Sequence, residues 1–180
     1  MLRMAGITPD MIPTISFSIT EEELGSLSLK DIVGDYAAWN YFQTVERPEN
    51  AAFVQRFRQK YGQQRVTNDP MEAAYFGVHL WAQAVKQAGS DDVAAIRKAV
   101  KDQSLDAPEG NVRIDAETQH TWKIVRIGKI MQNGLFEVVY SSERPIQPIP
   151  FPATRTQAAW EDFLQNMHLG WGGKWANPGR

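Results

Sequence analysis

Residues 35–42 read Asp-Tyr-Ala-Ala-Trp-Asn-Tyr-Phe (DYAAWNYF), and the fold class turns on them. Aromatic residues fit the pleated surface of a strand, and the stretch has no clean alternation of apolar and polar positions. A continuous apolar run suits a strand covered on both faces, as in a parallel sheet. On its N-terminal side, Thr20 precedes Glu21, Glu22 and Glu23. Thr20 caps a helix start, Glu23 three residues on completes a capping box, and the acids favour the positive end of the helix dipole. Before that, Pro13–Ser18 (PTISFS) is a β-branched and aromatic run that predicts a strand. Met1–Gly6 reads as the last turn of a helix that began earlier, with Gly6 just beyond its end, where positive φ carries no strain. Helix, strand, helix, strand is an α/β order.

On the C-terminal side, Arg47-Pro48-Glu49-Asn50 opens a helix with proline in its first turn. Phe53, Val54, Phe57 and Tyr61 share one face at helical spacing, and Gly62 closes it. Asp69 as N-cap and Pro70 as first helical residue begin the longest helix. Its apolar stripe is read as Ala74, Val78, Trp81 and Val85, with Gly89 at the end. Ser90 caps a third helix whose Val93, Ile96, Ala99 and Val100 face inward. The period then changes: Asn111–Asp115, Thr121–Met131 and Leu135–Ser141 are β-rich. Asn133-Gly134 between the last two predicts a type I′ hairpin turn. Pro145–Pro152 (PIQPIPFP) holds four prolines in eight residues and must be an extended connector. A last helix runs from about Thr156 to His168, and the tail GWGGKWANPGR reads as irregular coil.

Composition narrows the function classes. The chain has 180 residues, 19 Lys+Arg against 21 Asp+Glu and a formal charge of -2. That balance cannot build the positive field that a phosphate backbone requires, so no nucleic acid is expected as partner. There is no cysteine, which excludes disulfides, thiolate catalysis and cysteine zinc sites. The opening MLRMAGITPDMIP does not read as a signal peptide. His79, His120 and His168 stand apart from one another, so no metal site is expected. Gly170-Trp171-Gly172-Gly173-Lys174 lacks the spacing and the preceding strand of a phosphate loop. Glu21–Glu23 are explained by their helix start without acid–base chemistry. Neither a nucleophile elbow nor a dinucleotide fingerprint occurs, so the chain reads as no enzyme and calls for no cofactor.

What is left is a set of aromatic and hydroxyl side chains at strand ends. Ligands of open α/β sheets bind outside the C-terminal ends of the strands. Ser16, Phe17 and Ser18 end the first predicted strand; Trp39, Tyr41 and Phe42 end the second. Hydroxyls and aromatic rings are what a pocket for a small neutral polar solute would use. The same residues also fit a reading as core aromatics and turn serines.

Several strings resemble the type I periplasmic solute-binding proteins of ABC transporters. They are AGITPDMIPTISFSITEEEL, GDYAAWNYFQTVERPENAAFVQRFRQKYG, RVTNDPMEAAYFGVHLWAQAVKQAGS, DAPEGNVRIDAETQHTWKIVRIGKI, LFEVVYSSERPIQP and WGGKWANPG, which cover nearly the whole chain. The likeness is to the urea and short-chain-amide branch, related to the branched-chain amino-acid binders. It implies two Rossmann-like lobes closing around a solute by a hinge motion, a periplasmic location, an ABC permease in the membrane as partner, and urea or a short amide as ligand. The chain matches only the C-terminal portion of such proteins, so a missing N-terminal half is implied as a further partner. Residues 1–43 would belong to the second lobe, with Asn40–Glu46 as a hinge crossing. Residues 44–108 would form helices of the first lobe, crossing back at Asp106–Asn111, and residues 109–180 would complete the second lobe. Ser16, Phe17, Ser18, Trp39 and Tyr41 would lie near the cleft, and the helices would carry apolar stripes lacking their sheet. A cytoplasmic amide-sensing regulator of the same fold is the alternative.

Overall fold

The computed structural model describes residues 2–176. They form two compact units, Met1–Gln147 and Pro148–Arg180.

The first unit is α/β, with two sheets. One is four-stranded and mixed, in the order β1-β2-β6-β7 (β1 Ile15–Ser16, β2 Tyr36–Trp39, β6 Arg126–Ile130, β7 Phe136–Ser141). The central β2 runs parallel to β1 and antiparallel to β6, so the expected parallel neighbour is present on one side only. The other sheet is three-stranded and antiparallel, β3-β4-β5 (β3 Ser104–Ala107, β4 Gly110–Ile114, β5 Thr121–Trp122). Five helices join them: α1 Glu21–Leu24, α2 Leu29–Ile32, α3 Pro48–Tyr61, α4 Asp69–Ala88 and α5 Val93–Ala99.

Each sheet has its own core, because each offers one apolar face. Leu24, Ala37, Phe42, Ile130 and Phe136 pack beneath the mixed sheet. Phe76 and Leu80 of α4 pack on Ala107, Val112 and Ile114 of the second sheet.

Local signals are realised with adjustments. The Glu23 carboxylate accepts from both the N–H and the hydroxyl of Thr20, closing the capping box. Gly6 takes φ 75° after a short 3-10 turn at Arg3–Ala5. The cap of α4 is Asn68, one residue before the expected Asp69; its side chain accepts from Met71 N. The cap of α5 is Asp92 rather than Ser90, accepting from Ala95 N at 2.9 Å. The β6–β7 hairpin forms, but not with a type I′ turn: Gly134 alone takes positive φ (74°), and Asn133 instead accepts from Leu135 N. A glycine there lets the strand re-enter the ladder with Met131 N bonded to Leu135 O.

Two expectations are corrected by the packing. The buried face of α4 is Glu72, Phe76, Leu80 and Ala84, whereas Val78 and Trp81 of the expected stripe are 65% and 53% exposed. Residues 106–111 do not cross between the sheets. They form the tight β3–β4 hairpin, with Ala107 paired to Gly110, and the chain leaves the second sheet only through Lys123–Val125. The helical face of α3 is graded, from buried Phe53 to exposed Tyr61.

The second unit carries α6, Gln157–Gly170, capped by Thr156, whose hydroxyl accepts from Ala159 N. His168 stacks on Trp175 at a ring separation of 4.5 Å. Residues 177–180, the end of the tail read as coil, lie outside the described residues.

Candidate functional site

Because β1 and β2 are parallel neighbours, with Ile15 beside Tyr36 and Ser16 beside Ala37, their C-terminal ends emerge together. The Ser16 hydroxyl accepts from Ser18 N (3.1 Å) and Ile19 N (3.0 Å), which folds the chain back after β1. That turn pushes Phe17 outward, where it is 73% exposed. The half-buried Trp39 donates its indole N–H to Ile19 O at 2.8 Å, tying the end of β2 to the same turn. Four of the expected residues, Ser16, Phe17, Ser18 and Trp39, thus share one edge. The exposed Phe17 ring offers stacking, and the exposed Ser18 hydroxyl, 3.5 Å from Ser16 Oγ, keeps capacity for a hydrogen bond to a small ligand. Ser16 itself is occupied by the turn.

Tyr41 does not join them. It is fully buried, donating to Asn50 Oδ1 at 2.7 Å and bonded to the Thr67 hydroxyl at 2.8 Å. Burial holds its hydroxyl well above the usual phenol range. Its part is to anchor the segment 40–47, which leads from the mixed sheet into α3.

Besides its own turns, Val45 N to Phe42 O and Arg47 N to Val45 O, that segment is held by side chains from elsewhere. Asp69 accepts from Asn40 N (3.0 Å) and Tyr41 N (2.8 Å), and Glu21 Oε1 accepts from Gln43 N (2.7 Å). Asn50 donates to the carbonyls of Gln43 and Val45, both at 2.8 Å. Arg126 donates to the carbonyls of Asn40 and Glu109, and Asn40 donates to Ile124 O at 2.8 Å, joining the outgoing segment to the returning link 123–125. Irregular backbone that is buried must find such partners. Sequence reasoning missed Asp69, Asn50 and Glu21 in these roles, since each bonds a residue at least five positions away.

Two depressions flank this segment, of about 660 Å³ over α3 and about 690 Å³ beside β7. Arg47 and Arg126 line the second.

Arg126 belongs to a group of largely buried charges with Glu72, Glu109 and Asp69. Glu72 and Glu109 are both fully buried, and Glu109 N is 3.4 Å from Glu72 Oε1. Lys123 Nζ stands 3.1 Å from Glu109 Oε2 and 3.8 Å from Asp69 Oδ2. Burial, reinforced by the charge of Glu109, pushes the Glu72 carboxyl up to about 8. Burial pushes Glu21 up to about 7.

Among the described residues no group of His, Cys, Asp and Glu is placed to hold a metal ion, and no helix is long and apolar enough to cross a membrane.

The comparisons with known proteins agree with this architecture. A family model described as "Periplasmic binding protein domain" matches residues 1–157, and the chain belongs to that family. Among curated proteins it is 34% identical over 144 residues to limonene hydroxylase of Geobacillus stearothermophilus, covering 77% of this chain and 26% of that protein. It is 30% identical over 101 residues to Leu/Ile/Val-binding protein homolog 6 of Brucella abortus, covering 56% of this chain and 26% of that protein. Among solved structures it is similar to a solute binding protein of an ABC transporter from Rhodopseudomonas palustris, in complex with 3,4-dihydroxy benzoic acid. That match has TM-score 0.71 and 21% identity, and covers 82% of this chain and 41% of the other. The chain therefore spans about a quarter of the length of the curated relatives and under half of the solved one.

Proposed function

We propose that this chain is part of a solute-binding protein of an ABC transporter, working outside the cytoplasmic membrane and delivering its ligand to a membrane permease. It would bind without covalent chemistry. The observation that carries the reading is the joined ends of β1 and β2, which present Phe17, Ser18 and Trp39 together where α/β sheets bind ligands. The exposed face Ala74–Val78–Trp81 of α4 is, on this reading, where the remainder of the receptor packs.

The solute, by the resemblance of the sequence, is urea or a short-chain amide, held by hydrogen bonds with an aromatic ring against it. A second reading, an aromatic acid, is favoured by the outward Phe17 ring and by the 3,4-dihydroxy benzoic acid bound in the similar Rhodopseudomonas protein.

Titration calorimetry of the full-length receptor against urea, acetamide and 3,4-dihydroxybenzoate tests both. We expect saturable binding of urea or acetamide, weakened about two- to tenfold by Phe17→Ala with no change in melting temperature, since one aromatic contact is worth about 0.5–1.5 kcal/mol. The 180-residue chain alone should bind none of them. Binding of dihydroxybenzoate instead would keep the receptor role and replace the solute. Tight binding by the chain alone, or no binding by the full receptor, would overturn the reading.

A further inference from the structure

The charges buried between the two sheets do not balance as ionised groups. Glu21 of α1, Asp69 and Glu72 of α4 and Glu109 of the β3–β4 turn supply four carboxyls; Lys123 of the link and Arg126 of β6 supply two cations. The neighbouring titratable groups are Glu23 beside Glu21, Tyr41, whose hydroxyl is already engaged, Arg47 facing Arg126, and Arg58 facing Tyr41. Asp69 accepts from the amides of Asn40 and Tyr41 and stands 3.8 Å from Lys123 Nζ. Glu72 Oε2, Glu109 Oε1 and Glu21 Oε2 are buried without any hydrogen-bond partner. Carboxylate oxygens only accept, so two adjacent buried carboxylates cannot satisfy each other, whereas a carboxyl and a carboxylate can. Glu21 holds Gln43 N of segment 40–47, Glu109 pairs with Lys123 of the link 123–125, and Glu72 accepts from the amide of Glu109.

We propose that the junction is a proton-held latch: one proton shared by Glu72 and Glu109, and a second on Glu21, complete the charge balance that lets segments 40–47 and 123–125 pack closed. Loss of these protons to solvent leaves uncompensated negative charge beneath Asn40, Tyr41 and Gln43, and the junction loosens. The sign follows from linkage. The folded state holds protons that the unfolded chain releases near 4.5, so stability falls as pH rises from there until it passes the folded values of about 7 and about 8.

Side-chain carboxyl carbon NMR of the 180-residue chain between pH 4 and 10 reads the protons directly. Two glutamates should titrate near 7 and 8, the first signal disappearing in Glu21→Gln and the second in Glu72→Gln. The melting temperature of the wild type should fall between pH 6 and 9 by on the order of 5 °C. Glu72→Gln should remove most of that fall, while the exposed control Glu22→Gln keeps it. Removing the cation with Lys123→Met should move the Glu72–Glu109 step to higher pH, a shift that a purely steric role of Glu72 would not produce. All glutamates titrating below pH 6, or a fall unchanged in Glu72→Gln, would overturn the proposal. Should Glu72→Gln fail to fold, the wild-type titration still decides it.

Discussion

Gly128, in the middle of β6, is where a single atom matters most. A Cβ built there would lie 2.7 Å from Phe42 Cζ and 2.9 Å from Phe136 Cβ, inside the core of the mixed sheet. Those rings already lie tilted against each other, 4.7 Å between centroids, in a close-packed core. Gly128→Ala should cost about 1–3 kcal/mol by denaturant melting, the usual range for overpacking; an unchanged midpoint would show that the rings repack. Nothing local marks this glycine, since it sits within an otherwise plain β-rich run. The same holds for Asp69. Two adjacent residues can each cap α4, and the choice fell on Asn68 because the Asp69 carboxylate is taken by the amides of Asn40 and Tyr41.

At the scale of elements, the β4–β5 turn depends on Asp115. Its Oδ1 accepts from Glu117 N, Thr118 N and the Thr118 hydroxyl, and its Oδ2 accepts the Trp122 indole N–H at 3.0 Å. The Thr118 amide and the Trp122 indole hold the carboxyl down to about 2. A depressed carboxyl stabilises the fold above its unfolded value near 4 and loses that contribution as pH falls through about 2. Circular dichroism melts at pH 7 and pH 2 should therefore show Asp115→Asn destabilised at pH 7 and converging on the wild type at pH 2. Parallel curves at both pH values would contradict this. For α4, helical spacing admits two faces: Ala74, Val78, Trp81 and Val85, and Phe76, Leu80 and Ala84 with Glu72. The first looks better because it contains no acid. The second is buried because Ala107, Val112 and Ile114 of the second sheet lie against it.

At the scale of the molecule, the outcome is a chain with two cores and a helix whose other side, at Val78 and Trp81, faces solvent. Removing apolar surface that touches nothing should leave stability within about 0.5 kcal/mol. Trp81→Lys in the 180-residue chain is expected to keep its melting temperature and to lower light scattering at high concentration. A large fall in melting temperature would mean that Trp81 is part of a core after all. In the full-length receptor proposed above, the same change should instead destabilise, since the ring would there be covered.

The sequence by itself determined the α/β class, most helix and strand positions, the capping box at Thr20, the β6–β7 hairpin and the place of Ser16–Ser18 and Trp39 at the ends of two strands. These depend on periodicity, caps and turn residues, which act over a few positions along the chain. Only the tertiary structure decided that Tyr41 is an anchor, that α4 buries the face carrying Glu72, that the chain leaves the second sheet at Lys123–Val125, and that four carboxyls meet two cations there. Each of these rests on contacts between residues far apart in sequence, such as Gln43 with Glu21, Tyr41 with Asp69 and Asn40 with Arg126. The cost of burying a charge is set by what the fold brings beside it, and no local pattern records that.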